Sequence, residues 1–269
     1  MRTPALAPGP DAAVSRQDAP PSSLLLCGDW RAVERVGCGG TAEVWRAVGR
    51  GRDVALKLLR PELRARPGAA EVLYRELDLL REQRNPYLVA PLEIVDCGGT
   101  PALVLEYLPG GDLVPLLGAP REHWWPAVRA VATALRGLHD GGVAHGDVKP
   151  RNVLFAADGS ARLIDLTTAR VLASPAVLST AAYRVPAAAT AGEADGFALA
   201  ALVYELISGR LPYGTHGARA LGTRPAAVAV SDREAASLLE AATAVLHAGG
   251  RQPRGLSYLA DVIESVGSV

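Results

Sequence analysis

Short apolar runs separated by glycine-containing turns open the patterned part of the chain, and their length predicts β-strands. These runs lie at 30–36, 43–48 and 53–59, with turns at 37–40 and 49–51. Over 69–84 the leucines recur at spacings of four and three, which predicts a helix that ends at Asn85-Pro86. Two further predicted strands, 92–95 and 102–107, complete this mainly β region.

After residue 111 the apolar positions follow a helical period. They step by four, three, four and three at Trp124, Val128, Val131, Leu135 and Leu138. The later predicted elements are a hairpin of 153–156 and 161–164, and helices at roughly 195–208, 232–247 and 255–266. Strands come first and helices later, with one helix crossing over early, which predicts an α+β, two-lobed fold.

The first 28 residues lack this periodicity and are rich in proline, alanine, serine and glycine, which predicts a disordered leader at 1–28. Net charge is zero and the charges are spread along the chain, which argues against nucleic acid or an anionic membrane as partner. No apolar run approaches the length of about 18 residues that a membrane span needs, and we find no signal peptide. Cys27, Cys38 and Cys97 form no CxxC pair, which predicts reduced cysteines in a cytoplasmic protein.

Lysine is scarce in this chain. Of 28 basic residues only Lys57 and Lys149 are lysines, so arginine is the ordinary cation here. A lysine that persists against this bias indicates a position where a compact ammonium is needed and a guanidinium does not replace it. Two stray lysines are the alternative, and their neighbours decide between the two interpretations.

The first candidate motif is the glycine-rich segment VGCGGTAEV at 36–44, between two predicted strands. Glycines allow the backbone to pass close to phosphates and to present N–H groups to them. Because the segment leads into a strand and not into a helix, it is neither a Rossmann nor a Walker loop. Taken alone, a plain turn explains it equally well.

The second motif is Lys57 in the third predicted strand, where it lies between two leucines. A lysine at such a position is usually a surface residue. Here the following helix offers a partner, because Glu76 lies three residues after Leu73 and four before Leu80, on the apolar face. We expect Lys57 to pair with Glu76 and with phosphate oxygens.

The third motif, HGDVKPRNVL at 145–154, is the most specific. It brings Asp147, Lys149 and Asn152 within six residues, and Asp165 follows at the end of an apolar strand. Phosphoryl transfer needs metal ligands, charge neutralisation and a positioned hydroxyl acceptor, and these side chains supply such groups. A turn or a cap explains an isolated aspartate or asparagine, but this order and spacing favours phosphotransfer.

Together these motifs resemble those of the eukaryotic-type (Hanks-type) bacterial serine/threonine protein kinases, over about residues 29–266. The resemblance implies a protein-kinase-like fold with a small β-rich N-lobe at about 29–107 and a larger helical C-lobe at about 111–266. It also implies ATP with Mg²⁺ or Mn²⁺. The implied substrate is a protein with a serine or threonine acceptor, autophosphorylation included.

The resemblance also implies roles for single residues. Asp147 takes the place of the base that orients the acceptor hydroxyl, and Lys149 that of the γ-phosphate contact. Asn152 and Asp165 take the places of the metal ligands, and Asp195 that of the residue anchoring the catalytic loop. The implied nucleotide contacts are Gly37, Cys38, Gly39, Gly40, Val44, Ala55, Lys57, Glu76, Glu106, Leu108, Asp112 and Leu154.

Three positions depart from the family's pattern. Gly146 replaces the arginine that binds a phosphate on the activation segment, which argues against control by phosphorylation there. Thr167 replaces the glycine of the metal-binding triplet, and Ala187 replaces a glutamate that anchors the segment. None of the three removes a predicted metal ligand, the phosphate-binding lysine or the base.

Two other functions stay open at this point. A pseudokinase would bind nucleotide or partners without turnover, and the three departures fit that reading. A small-molecule kinase is the other alternative, because His-Gly-Asp followed by Asn152 also resembles aminoglycoside phosphotransferases. Lys149-Pro150 and the Gly-Gly-Asp-Leu run at 110–113 argue against this second alternative.

We predict that Lys57→Arg abolishes phosphotransfer although the charge is kept, because the guanidinium is too broad to lie between Glu76 and the phosphates. The measurement is the initial rate of ATP-dependent phosphorylation by the purified chain. A variant with the wild-type rate would refute the assignment of Lys57.

Overall fold

The computed structural model describes residues 25–64, 66–166, 170–171, 180–184, 190–216, 224–247 and 255–266. The strands are β1 (Leu26–Cys27), β2 (Trp30–Cys38), β3 (Ala42–Gly49), β4 (Arg52–Leu59), β5 (Pro91–Asp96), β6 (Pro101–Glu106), β7 (Val143–Ala144), β8 (Val153–Phe155), β9 (Ala161–Leu163) and β10 (Arg170–Val171). The helices are α1 (Pro61–Arg64), α2 (Glu71–Gln83), α3 (Arg121–Asp140), α4 (Ala191–Ser208), α5 (Arg233–His247) and α6 (Gly255–Val266).

The N-terminal region is an antiparallel sheet with the strand order β1-β2-β3-β4-β6-β5. Strand β4 lies inside this sheet, and its Lys57 is in register with Val44 of β3 and Leu103 of β6. Side chains alternate between the two faces of a strand, so Leu56 and Leu58 point away from the face that carries Lys57. The strand register and this alternation together place the Lys57 side chain on one defined face of the sheet.

The C-terminal region is helical, and α4 lies at its centre. Every residue from Asp195 to Leu206 is buried, as expected for a helix that is apolar on all sides. Its first turn is fixed by a capping box, in which Thr190 and Glu193 each accept a hydrogen bond from the other's backbone N–H. The apolar stripe predicted for α3 is buried as well, and it packs into the same core.

Backbone hydrogen bonds join the sheet region to the helical region. The N–H of Val89 donates to the carbonyl of Leu163 over 3.1 Å, and the N–H of Leu163 donates to Tyr87 over 2.8 Å. On the other side, the N–H of Gly110 donates to Phe155 over 2.8 Å. These bonds fix β8 and β9, and with them the segments around Asn152 and Asp165, against the sheet region.

The predicted order of elements is confirmed, and the β-sheet region followed by a helical region is consistent with a two-lobed kinase fold. The predicted strands and long helices are all present, with ends shifted by a few residues. The short pieces α1, β7 and β10 were not predicted, because two to four residues carry too little periodicity. In the part of the chain that the structure describes, no helix is long and apolar enough to cross a bilayer.

The predicted leader reaches too far into the chain. Residues 1–24 lie outside the described residues, but Leu26 and Cys27 form β1 and pair with Arg31 and Trp30. The Cys27 side chain is fully buried. A strand of two residues has no alternation of its own, and only the neighbouring strand reveals it.

The prediction of three reduced cysteines is wrong for two of them. Cys27 forms a disulfide with Cys97, which follows β5, while Cys38 is a free and exposed thiol. The two bonded residues are 70 positions apart in sequence. Strands β1 and β5 are the first and last in the strand order, so only the curl of the twisted sheet brings these cysteines together.

We predict that Cys27→Ala/Cys97→Ala lowers the free energy of unfolding by about 2–4 kcal/mol, because the disulfide closes a long loop of the unfolded chain. The measurement is urea unfolding, with the wild type in dithiothreitol expected to match the double variant. Cys38→Ala is the control and should unfold like the oxidised wild type. Equal midpoints for all four samples would contradict the prediction.

Candidate active site

A cavity of about 820 Å³ lies between the sheet region and the helical region. Its size falls in the range of small-molecule sites. Apolar side chains from both regions line its interior, among them Val44, Ala55, Leu105 and Leu154. Charged side chains converge at one end, where Lys57, Asp147, Lys149 and Asp165 all line the wall.

The glycine-rich turn between β2 and β3 forms part of this wall. The N–H of Gly39 donates to the carbonyl of Ala42 over 2.8 Å, which closes the turn. A side chain at Gly40 would meet no atom within 4 Å, so the backbone there faces open space. In a glycine-rich turn, backbone N–H groups that are not bonded within the turn can approach an anion closely.

Lys57 is buried at the inner end of the cavity and bonds two carboxylates. Its Nζ donates to Glu76 Oε1 over 2.8 Å and Oε2 over 2.7 Å, and to Asp165 Oδ1 over 2.7 Å. Burial by itself lowers the pKa of the ammonium, but the charges of Glu76 and Asp165 outweigh burial and raise it. The lysine is therefore a fixed positive charge at the cavity wall.

Glu76 reaches this position because it lies on the buried face of α2, where only 1% of the residue is exposed. It also accepts a hydrogen bond from the backbone N–H of Leu166 over 3.1 Å, directly after Asp165. One carboxylate thus fixes both the lysine of β4 and the chain that follows β9. Asp165 itself has a φ of +70°, a left-handed conformation that non-glycine residues adopt at a cost of about 1–3 kcal/mol.

The loop before β8 brings a second charged group to the cavity. Lys149 Nζ donates to Asp147 Oδ2 over 2.6 Å, and the Asn152 amide donates to the Asp147 carbonyl over 2.7 Å. On the other side, Thr180 Oγ1 lies 3.0 Å from Asp147 Oδ1 and 2.9 Å from Lys149 Nζ. Asp147 is thus surrounded by donors from two segments of the chain.

These donors decide the charge of Asp147. Burial of the side chain works to raise its pKa, but the hydrogen bond and charge of Lys149 and the donors of Thr180 outweigh burial. The pKa of Asp147 is therefore lowered from its ordinary value, and the group is a carboxylate at neutral pH.

Asp195 fixes the backbone beneath this loop from inside α4. Its Oδ2 accepts the N–H of His145 over 2.7 Å, and its Oδ1 accepts the N–H of Gly146 over 2.8 Å. His139 lies 2.9 Å from Oδ2. Gly146 has a φ of +86°, which glycine adopts without a steric penalty. The residue that departs from the kinase pattern is thus well suited to this backbone conformation.

The donor set at the inner end fits a divalent cation. Mg²⁺ prefers oxygen ligands, and Asp165 and Asn152 provide a carboxylate and an amide oxygen. The nitrogen of the Asn152 amide is already bonded to Asp147, so the oxygen is the atom available for a metal. The Asp165 side chain is 39% exposed and lines the cavity.

The structure brings most of the predicted site residues to one cavity. Its lining includes Gly39, Gly40, Val44, Ala55, Lys57, Glu106, Leu108, Asp112, Asp147, Lys149, Leu154 and Asp165. Four predicted residues lie outside the lining. Glu76 and Asn152 are buried behind Lys57 and Asp147, while Gly37 and Cys38 belong to the end of β2. Thr167 and Ala187, two of the departures, fall outside the described residues.

Some residues of the site were not predicted individually. Leu63 of α1, Val72 of α2 and Arg66 between the two helices line the cavity, but nothing distinguishes this arginine from the many others in the sequence. Tyr183 donates its hydroxyl to the carboxylate of Glu205. No local signal pairs these two residues, because Glu205 lies within an apolar run.

The sequence model of the family described as "Protein kinase domain" matches residues 30–236. The chain belongs to the protein kinase domain family. This kinase domain is 33% identical over 214 residues to the serine/threonine-protein kinase pkn2 of Myxococcus xanthus, covering 72% of this chain and 26% of that relative. It is likewise 33% identical over 213 residues to the serine/threonine-protein kinase PknL of Mycobacterium tuberculosis, covering 72% and 53%.

A third similar protein is the serine/threonine-protein kinase PknB of Mycobacterium leprae, which is 28% identical over 215 residues. That match covers 72% of this chain and 33% of the relative. The chain thus spans from about a quarter to about half of the length of these three relatives.

We predict that Glu76→Gln lowers the free energy of unfolding by about 3 kcal/mol, because it removes one carboxylate from the buried Lys57 ammonium. Glu71→Gln is the matched control, since Glu71 is exposed on the same helix, and its effect should stay within about 0.5 kcal/mol. Urea unfolding of both variants checks this. Equal losses would show that the buried pair adds nothing.

Proposed function

We propose that this kinase domain transfers the γ-phosphoryl group of ATP to serine or threonine hydroxyls of a protein substrate. The observation that carries the proposal is the convergence of two charged clusters on one cavity. Lys57, Glu76 and Asp165 form the first, and Asp147 with Lys149 forms the second. The relatives named as serine/threonine-protein kinases support the same class of acceptor.

The nucleotide would lie with its base against the apolar wall and its phosphates towards Lys57. The backbone carbonyl of Glu106, the last residue of β6, and the backbone of Leu108 just after it would bind the base. The other polar groups of Glu106 are occupied, since its N–H donates to the Ala90 carbonyl over 2.9 Å and its side chain accepts the Ala90 N–H over 2.7 Å. The glycine-rich turn would cover the phosphates with its N–H groups. Lys57 would neutralise phosphate charge, and Glu76 keeps its ammonium in place.

Asp147 would receive the acceptor hydroxyl. Because Lys149 and Thr180 keep its pKa low, the carboxylate is ionised and accepts a hydrogen bond from the hydroxyl, which orients the oxygen towards the γ-phosphate. Lys149 would then stabilise negative charge on the transferred group. The protein contributes position and charge, and it forms no covalent intermediate in this scheme.

Asp165 and Asn152 would bind Mg²⁺ or Mn²⁺, which supplies charge neutralisation between the phosphates when it is bound. Helix α2, between β4 and β5, would act as the single crossover helix of the N-lobe and present Glu76. We further propose autophosphorylation as an activity to be tested with the purified chain. The side chains to which we assign turnover lie among the described residues, and neither the fold nor the relatives add an observation that favours the pseudokinase alternative.

We predict that Asp147→Asn reduces phosphorylation of a generic basic protein, or of the chain itself, by at least about a hundredfold. The amide keeps the shape of the side chain but accepts the hydroxyl proton poorly. Nucleotide binding should persist, so ATP with magnesium should still raise the melting temperature. Unchanged transfer by this variant would contradict the role of Asp147, and no transfer by the wild type under any metal would contradict the proposed activity.

A further inference from the structure

One exposed cation lies beside the predicted transfer site and is not used by it. Arg151 lies between Pro150 and Asn152 in a short 3₁₀ turn that begins directly after Lys149. Its side chain is 75% exposed, against 22% for Lys149 and 14% for Asp147. Arg151 does not line the nucleotide cavity, whereas Lys149 and Asp147 do. The guanidinium therefore faces whatever approaches the acceptor side from solvent.

Two groups near Arg151 locate it on that side. Its Nη1 lies 3.8 Å from Asp112 Oδ2, at the rim of the cavity. Its charge also acts on Tyr183: burial and the Glu205 carboxylate raise the pKa of this phenol, and the charge of Arg151 works against them. Tyr183 ends the segment that begins at Thr180, the residue bonded to Asp147. Arg151 is thus near both the cavity rim and this segment.

Among the described residues, the two carboxylates named here, Asp112 and Glu205, also bond other donors. Asp112 accepts the backbone N–H of Val114 over 3.1 Å and is 26% exposed. Glu205 accepts the Tyr183 hydroxyl and is 8% exposed. Both are far less accessible than Arg151, and the ion pair with Asp112 is long. An incoming side chain would therefore meet a positive charge before it meets a negative one.

We propose that Arg151 is a specificity-determining residue that selects acidic protein segments as acceptors. A guanidinium binds a carboxylate through two parallel hydrogen bonds, and it repels arginine and lysine side chains. A serine or threonine with nearby glutamate or aspartate would thus be bound in preference to one with basic neighbours. This inference rests on the proposed protein phosphorylation and adds the chemical class of the substrate.

The test compares pairs of serine peptides that are identical except for glutamate or arginine at one position near the acceptor. Every flanking position is scanned in turn with the full chain, ATP and magnesium at low ionic strength. We expect the best glutamate peptide to exceed its arginine twin in kcat/KM by about two- to fivefold, the size of an exposed ion pair. The difference should lie in KM and not in kcat, because Arg151 does not contact the reacting atoms.

Three variants complete the experiment. Arg151→Glu should reverse the preference, and Arg151→Lys should retain its direction. Arg129→Glu makes the same charge change on the exposed face of α3 and should leave the preference as in the wild type. If Arg151→Glu keeps the wild-type preference, or Arg129→Glu also reverses it, the inference is overturned.

Peptide binding, measured by fluorescence anisotropy with a non-hydrolysable ATP analogue, separates this inference from the proposed activity. If no peptide is phosphorylated but binding still reverses in Arg151→Glu, the proposed transfer fails and the acidic preference stands. If transfer occurs and neither binding nor KM depends on Arg151, the activity stands and this inference fails.

Discussion

The Lys57 ammonium connects three segments that are far apart in the chain. It lies on a central strand, and its hydrogen bonds reach Glu76 on α2 and Asp165 after β9. Because Lys57 and Glu76 are buried, loss of the ammonium would leave the Glu76 carboxylate without a counter-charge in a medium of low polarity. The sheet, the helix and the loop are therefore favoured in the one arrangement that keeps all three charges together, and this arrangement also forms the inner end of the cavity.

Asp195 plays the corresponding part in the helical region. It lies within the most buried helix, and its carboxylate accepts the backbone N–H groups of His145 and Gly146. The loop that carries Asp147 is thus attached to the core and not only to its neighbours on the surface. Asp147 can then be surrounded by donors and remain ionised although it is partly buried.

Exposure divides the charges of the site into two kinds. Lys57 and Glu76 are almost fully buried, and their ion pair holds a positive charge at a defined position in the cavity wall. Arg151 lies in the same loop as the groups that surround Asp147, yet it points to solvent beyond the cavity. Buried charges are difficult to change without loss of stability, whereas an exposed one can vary at little cost. The fold therefore separates the reactive centre from the residue that we propose selects the substrate.

The sequence by itself determined the order of strands and helices, because their periodicity is local and strong. It also identified Lys57 and the 145–154 motif, since both stand out from an arginine-rich background. Only the tertiary structure decided the Cys27–Cys97 disulfide, the hydrogen bond of Thr180 to Asp147 and the exposure of Arg151. These features depend on contacts between residues distant in the chain, or on which side chains the fold leaves in solvent, and no local pattern records either.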